Sequence, residues 1–196
     1  MSQLHPLFPS FVWETHLGLD KDALVSAIKE FSEEHESVDF TNRNGGYQAH
    51  GFNYPLLSDA IKNNVPTNSD LEDLGKLHLH TWVNINNTGS YNIRHDHTDG
   101  IILLSGCYYV SVPENSGNIK FYDPRSEVIH SMADARYYQY DKSVELIPED
   151  DLIYYFPSWL QHEVGSSKSD DERISIAFNL IRKPDVDRYC NVYNYE

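Results

Sequence analysis

The first third of the chain carries hydrophobic residues at the three- and four-residue spacing of amphipathic helices. The first predicted helix covers residues 19–36, and its apolar face is formed by Leu24, Ala27, Ile28 and Phe31. Asp20 stands at its start, where an aspartate side chain caps the first turn by accepting a backbone N–H. A second, shorter helix is predicted for residues 54–64, with an inward face formed by Leu56, Leu57, Ala60 and Ile61.

Between the two helices, residues 41–53 read TNRNGGYQAHGFN. Gly and Asn mark turns, so this stretch is predicted to be a turn or a loop that contacts a substrate. From residue 77 the pattern changes to the alternation of a half-buried strand, as in LHLHTWVNI. Further strands are predicted at residues 91–97, 102–112, 118–123, 135–141, 143–147, 151–156, 162–165 and 173–181.

Many short strands after an N-terminal helical part indicate a mainly β protein with flanking helices, built as a jelly roll or cupin-like barrel. The 196 residues are predicted to form a single domain, because no linker or internal repeat interrupts the chain. Within it we expect an N-terminal helical support at residues 1–75, a β core at 76–181 and a C-terminal tail at 182–196.

Charge and cysteine content restrict the choice of partners and compartment. Lys and Arg number 15 against 30 Asp and Glu, a formal net charge of −15, which disfavours binding to nucleic acid or to an anionic membrane. With two cysteines and no apolar stretch of about 20 residues, neither a disulfide framework nor a membrane span is expected. These features predict a soluble, cytoplasmic protein, and they do not indicate an oligomeric state.

The segment RHDHTDG carries the first candidate chemistry. Side chains at positions i and i+2 of a strand project from the same face, so His95 with His97, or His97 with Asp99, can share one metal ion. Imidazole and carboxylate groups on one side of a metal are typical of Fe(II) sites that leave positions open. His162, in FPSWLQHEV, follows an aromatic strand and a tight turn, and it is the candidate for the remaining ligand.

Arg173 and Ser175 form a second i, i+2 pair, on the last predicted strand. A guanidinium and a hydroxyl that point together into a barrel match a carboxylate ligand. An inward arginine is costly unless an anion meets it. The alternative interpretation of Arg173 is an ion pair with Glu163 or Asp171.

In combination, these motifs resemble the Fe(II)/2-oxoglutarate-dependent oxygenases, whose core is a double-stranded β-helix. The resemblance rests on the histidine motif, SGCYYV, GNIKFYDPR, FPSWLQHEV and RIS, and it is closest to the prolyl-hydroxylase-like branch, which includes small bacterial and phage oxygenases. It covers roughly residues 76–181, and also NGGYQ at residues 44–48, and it implies Fe(II) and 2-oxoglutarate, with ascorbate as an optional further cofactor. It also implies catalytic metal ligands among His95, His97, Asp99 and His162, and cosubstrate contacts from Arg173, Ser175 and Tyr109.

The resemblance leaves the second ligand open. If His95 is the first ligand, His97 takes the position at which the family carries an acid, and the site is all-histidine. If the register slips by two residues, His97 and Asp99 restore the usual histidine and acid.

Hydroxylation of a peptide or small polar substrate, with release of succinate and CO2, is the activity that the resemblance implies. Two other functions remain: a cupin-like all-histidine metal enzyme that needs no 2-oxoglutarate, and a jelly-roll binding module without catalysis. Further residues either line the barrel mouth or cap its ends, namely Tyr47, His50, Trp82, Asn84, Asn86 and Tyr122.

Overall fold

The computed structural model describes residues 5, 8–38, 40–66, 77–98, 100–125, 143–182 and 185–186. Its helices are α1 (Lys21–Glu34) and α2 (Pro55–Asn63). The Asp20 side chain caps α1 by accepting a hydrogen bond of 3.1 Å from the backbone N–H of Ala23, as predicted. Within the described ranges, no helix has the length and apolar character needed to cross a membrane.

The inward face of α2 is narrower than the sequence pattern predicts. Leu57 and Ile61 are buried, whereas Leu56 is 64% exposed, so its assignment to the inward face was wrong. Each helical residue is rotated by about 100° from the previous one, and this rotation turns Leu56 away from the sheet when Leu57 faces it.

The strands form two antiparallel sheets. Over the described residues, one sheet has the order β1-β9-β6-β11-β4-β3 and the other β2-β5-β10-β7-β8. The strands are β1 (Trp13–His16), β2 (Asn42–Arg43), β3 (Tyr47–His50), β4 (Leu77–Asn86), β5 (Tyr91–His95), β6 (Ile102–Ser111), β7 (Ile119–Tyr122), β8 (Ser143–Leu146), β9 (Leu152–Pro157), β10 (His162–Val164) and β11 (Arg173–Arg182).

The strands from β4 onward confirm the alternation read from the sequence, and the mainly β jelly-roll class is confirmed with them. The predicted strand at residues 135–141 lies outside the described residues. The prediction of a loop at residues 41–53 was wrong in part, because this segment contains β2 and β3. Asn44 and Gly45, with φ angles of 61° and 83°, make the tight turn that carries the chain from one sheet to the other.

The larger sheet has a hydrophobic core on each face. On its outer face, α1 and α2 pack against side chains such as Val83, Ile176 and Phe178. On its inner face, Tyr109, Tyr154 and Phe156 meet Ile119 and Phe121 of the smaller sheet. The space between the two sheets therefore holds both a hydrophobic core and the polar residues described next.

Candidate active site

Strand register sets the layout of the inner face of the larger sheet. Residues that pair across neighbouring strands share a face, so the paired positions form rows across the sheet. The rows, in order, are Asn86 and Arg173; Gln48, Asn84, Ser175 and Tyr109; His50, Trp82, Ala177, Cys107 and Tyr154; and His80, Asn179, Ser105 and Phe156.

A β-bulge in β5 brings a histidine over these rows. His162 pairs with His95 and Val164 pairs with Asn92, so β5 uses three residue steps where β10 uses two. In a regular strand, positions 92 and 95 would point to opposite faces. The extra residue lets both side chains line the same pocket.

Three histidines converge at this point. The potential ligand nitrogens of His95, His97 and His162 all lie within 4.8 Å of one another. The ring centroids of His95 and His162 are 4.3 Å apart, and each is 5.2 Å from that of His97. This spacing is suited to three imidazoles around one ion.

Hydrogen bonds at Nδ1 orient the three rings. His95 Nδ1 lies 2.7 Å from the carbonyl oxygen of Ile93, and His162 Nδ1 lies 2.9 Å from that of Leu160. A carbonyl oxygen can only accept, so both Nδ1 atoms carry the proton and Nε2 presents its lone pair. In metal sites, such a bond at one ring nitrogen fixes the tautomer in which the other nitrogen binds the metal.

His97 has its outer contacts on the larger sheet. Its Nδ1 lies 2.8 Å from both Ser105 Oγ and Asn179 Oδ1, and the Ser105 hydroxyl donates to the same Asn179 oxygen. Ser105 and Asn179 are both buried. The imidazole is therefore anchored to β6 and β11 through one of its two nitrogens.

Burial disfavours the charged form of His95 and of His162. Desolvation lowers the pKa of His95, and it lowers the pKa of His162 well below the usual 6.5, helped by the neighbouring His95 and His97. A neutral imidazole is the form that binds a metal ion. His162 is 5% exposed, so a metal bound there would have few contacts with bulk water on that side.

Asp96 is not part of this cluster. Asp96, between the two histidines, accepts a hydrogen bond of 3.2 Å from the Gln161 amide and one of 3.1 Å from the Thr98 N–H. Asp99 lies outside the described residues. Within the described residues, the group that can hold a metal is made of three imidazoles.

Arg173 occupies the far end of the same pocket and is 1% exposed. Its guanidinium donates to the Gly117 carbonyl at 3.2 Å and to Asn92 Oδ1 at 3.5 Å, and its Nε is buried without a hydrogen-bond partner among the described residues. An ion pair of Arg173 with Glu163 or Asp171 is not supported. Glu163 Oε1 lies 3.7 Å from Lys120 Nζ, and Asp171 is exposed. Arg173 thus meets neutral oxygens where a carboxylate would be expected.

Ser175, two residues after Arg173 on β11, pairs with Tyr109 of β6, and all three residues line the same pocket. Both are buried, and the Tyr109 hydroxyl makes no hydrogen bond of good geometry within the described residues. Burial raises the pKa of Tyr109, so its hydroxyl stays protonated and can donate. The pocket encloses a small cavity of about 40 Å³.

Sequence reasoning missed one polar residue of this pocket. Asn92 Oδ1 accepts from Arg173 and, at 3.2 Å, from the Asn86 amide. No motif singled it out, because an asparagine near the start of a short strand usually faces solvent. One indication in the sequence could have led to it. Asn86, Asn84 and Trp82 lie on one face of β4, and Asn86 pairs with Arg173, so polar residues on this face lead toward the arginine.

Two of the predicted mouth residues lie elsewhere. The Tyr47 hydroxyl donates to the His35 carbonyl at 2.9 Å, so that side chain ties β3 to the end of α1. The Tyr122 ring stacks under the Arg94 guanidinium, 3.8 Å from the ring centroid, away from the histidines. Trp82 and Asn84 do line the pocket.

Comparison with known proteins bears on this arrangement. Residues 80–179 match a protein-family model described as "Putative 2OG-Fe(II) oxygenase". This segment contains every histidine of the cluster together with Arg173, Ser175 and Tyr109. No curated protein matches the sequence significantly.

Several solved structures share the fold at low sequence identity. A Pseudomonas putida prolyl-4-hydroxylase is 15% identical, with a TM-score of 0.60 over 88% of this chain and 93% of that one. A Trichoplax adhaerens prolyl hydroxylase, in complex with a hypoxia inducible factor peptide fragment, is 16% identical, with a TM-score of 0.61 over 88% and 84%. HygX from Streptomyces hygroscopicus, with nickel and 2-oxoglutarate bound, is 10% identical, with a TM-score of 0.60 over 88% and 83%. These identities support the likeness of fold alone.

Proposed function

The chain belongs to the 2OG-Fe(II) oxygenase family, and on this premise we propose that His95, His97 and His162 hold Fe(II) while Arg173, Ser175 and Tyr109 hold 2-oxoglutarate. The reaction would consume dioxygen and 2-oxoglutarate, hydroxylate a peptide or small polar substrate, and release succinate and CO2. The observation that carries this proposal is the presence of a three-imidazole cluster and a buried, carboxylate-free arginine in one pocket.

The metal would be held through Nε2 of each imidazole. The backbone carbonyls at residues 93 and 160 keep His95 and His162 in the required tautomer. Asn179 and Ser105 orient His97 from the larger sheet. Three protein ligands from one side leave the remaining coordination positions for small molecules, as in non-haem iron oxygenases.

The cosubstrate would be held through its distal carboxylate. Arg173 has an unpaired Nε and only neutral partners, so an anion would satisfy a buried charge that the described residues leave uncompensated. Ser175 and Tyr109 add hydroxyl donors at the same end of the pocket. Bound Fe(II) and 2-oxoglutarate would supply the oxidative chemistry, and the chain would supply ligands, orientation and shelter from water.

The same arginine favours a 2-oxoglutarate enzyme over a cupin-like enzyme that uses its histidines alone. An all-histidine site without a cosubstrate has no need of an inward guanidinium, and burying one costs several kcal/mol unless a negative group meets it. A binding module without catalysis would need neither Arg173 nor the three oriented imidazoles.

A peptide or small polar compound is proposed as the prime substrate. Two structural neighbours are prolyl hydroxylases, and one of them holds a peptide fragment. In this chain, Trp82 and Asn84 line the pocket next to the histidines, which offers one aromatic and one amide contact.

Anaerobic titration of the protein with Fe(II) and then 2-oxoglutarate tests the proposal. A weak visible charge-transfer band is expected after both additions, and exposure to air should then release succinate without added substrate. The matched control is His16→Ala, which changes an exposed histidine on β1 and should behave as the wild type. Absence of the band in both the wild type and His16→Ala, after both additions, would contradict the proposed function.

A further inference from the structure

An aromatic shelf extends from the histidine cluster to the edge of the larger sheet. It consists of His50, His80 and Trp82. The two imidazoles stack at a centroid distance of 5.2 Å and an interplanar angle of 18°, and the indole lies 5.5 Å from His50 and 5.7 Å from His80. All three side chains are on the inner face, on β3 and β4.

The shelf adjoins the proposed metal site. The Trp82 ring centroid is 5.6 Å from that of His97, and Trp82 also lines the pocket that contains the three histidines. Arg173 lies at the other end of the rows, beyond Asn84. A group on the shelf would therefore lie beside the metal, and the end occupied by Arg173 would stay available for the cosubstrate.

Within the described residues, the outer end of the shelf reaches the sheet edge formed by β3. His50 and His80 are half-buried, and β3 is an edge strand of its sheet. The Phe40 ring packs edge-on against His50 at 5.2 Å and is itself 50% exposed. Aromatic surface thus continues from solvent to the histidine cluster, which is the path that a substrate would need.

Charge limits what the shelf can hold. Burial lowers the pKa of His50 to about 4 and that of His80 to about 3, so both rings are neutral near pH 7. A cation on the shelf would be repelled by a divalent metal at the histidine cluster and by Arg173. An anion would meet the electron-rich faces of the rings. An uncharged, flat or ring-shaped group fits best.

We infer that the aromatic shelf of His50, His80 and Trp82 binds an uncharged ring of the prime substrate and holds it beside the metal. This inference rests on the proposed function, because it names the substrate class of the same site. Contact between rings stabilises binding through dispersion and the ring quadrupole, so removal of either imidazole of the shelf should weaken the binding of a ring.

Fragment binding tests the shelf without turnover. Benzamide is the uncharged probe and benzylammonium the charged one, and ligand-observed NMR gives their dissociation constants on the metal-free protein. His50→Ala and His80→Ala should each weaken benzamide binding by about three- to tenfold. His50→Phe should restore most of it, and the surface control His16→Ala should change nothing.

Two outcomes of that titration would overturn the inference. The shelf is not the binding site if both alanine variants bind benzamide as the wild type does. Its preference for neutral groups is refuted if, with diamagnetic Zn(II) added, benzylammonium binds as tightly as benzamide. Circular dichroism of each variant verifies that the fold is kept, and the non-aromatic His50→Leu replaces His50→Ala if the alanine variant unfolds.

A paramagnetic metal then tests position. With Mn(II) added, the benzamide protons should broaden strongly in the wild type, because relaxation falls steeply with distance from the ion, and His162→Ala should abolish the broadening. Bound benzamide that does not broaden while Mn(II) is bound would overturn the placement beside the metal. If Mn(II) does not bind at all, the proposed metal site fails, and the metal-free titration still decides the shelf.

Discussion

His95 and His162 face each other across the antiparallel pair of β5 and β10, with their ring centroids 4.3 Å apart. Each imidazole hydrogen-bonds a carbonyl oxygen two residues earlier in its own chain segment. The same local hydrogen bond therefore fixes the tautomer of both rings and leaves Nε2 of each ring as the nitrogen that could bind a metal. His97 completes the set from the segment after β5.

Replacing His162 should remove the metal site. His162→Ala deletes one of three imidazoles, and loss of a direct ligand should cost more than the tenfold to hundredfold typical of a residue that only orients a ligand. Iron affinity measured by anaerobic titration should therefore fall by at least about a hundredfold. Unchanged stoichiometry in His162→Ala, with His16→Ala as the reference, would refute the assignment.

The identity of the second ligand is decided by comparing His97→Ala with Asp99→Ala. A three-imidazole site predicts that His97→Ala loses iron as His162→Ala does, whereas Asp99→Ala keeps it. Both variants are measured in the same iron titration. The reverse result, with iron lost in Asp99→Ala and kept in His97→Ala, would mean that the usual histidine and acid pattern applies.

Arg173 should determine the affinity for the cosubstrate. Arg173→Ala removes a guanidinium that can make charge-assisted hydrogen bonds worth about 1.5–3 kcal/mol each, so the 2-oxoglutarate concentration for half-maximal succinate release should rise about tenfold or more. Arg173→Lys should recover part of the loss, because an ammonium keeps the charge and loses the planar fork. Iron binding should not change in either variant.

The control for that experiment lies on the same strand. Arg182→Ala removes an exposed arginine at the other end of β11, where it pairs with Asp185 at 2.9 Å. Its cosubstrate dependence should match the wild type. Coincident curves for Arg173→Ala and Arg182→Ala would rule out the anion end of the pocket.

Asn179 should act on the metal through His97. Its Oδ1 lies 2.8 Å from His97 Nδ1, so Asn179→Ala removes an acceptor that orients the ring and leaves the ligand in place. Metal affinity should fall about tenfold to a hundredfold. Asn179→Asp, which keeps an oxygen at that position, should lose less, and equal affinity in all three proteins would show that Ser105 alone suffices.

Acid should destabilise the fold through the shelf histidines. The folded-state pKa values of His50 and His80 lie at about 4 and about 3, below the unfolded value near 6.5, so the unfolded chain takes up protons first. Their neutral burial is fully tolerated above pH 6.5 and becomes costly as pH falls toward 4. In His80→Gln, the free energy of unfolding should fall less steeply as the pH is lowered, by up to about 1.4 kcal/mol per pH unit. His16→Gln should leave this slope unchanged.

Sequence patterns predicted most of the β core because alternation is a local property. The strands β4, β6, β9 and β11 alternate or are continuously apolar, and their predicted bounds agree with the structure within one or two residues. β3 was read as a loop since its pairing partner β4 is distant in sequence and its flanking Asn and Gly residues signal turns. Pairing with a distant strand overrode the local signal.

The candidate site was predictable in its residues and only partly in its geometry. His95, His97 and Arg173 follow from i, i+2 spacing, but the β5 bulge that brings Asn92 to the face of His95 leaves no pattern in the sequence. The neutral partners of Arg173, Asn92 and Gly117, could not be predicted from the sequence either. The alternative partners Glu163 and Asp171 are much nearer to Arg173 along the chain.

The burial of Arg173 in a strongly acidic protein would let charge act separately on the rate at which 2-oxoglutarate binds and on the rate at which it leaves. A net charge of −15 repels a dianion at long range, and salt screens this repulsion beyond about 8–10 Å. The guanidinium lies inside the pocket, where screening by salt is weak. Added salt should therefore speed the arrival of 2-oxoglutarate and leave its departure almost unchanged, so an acidic surface and a buried cation act as two independent controls on one ligand.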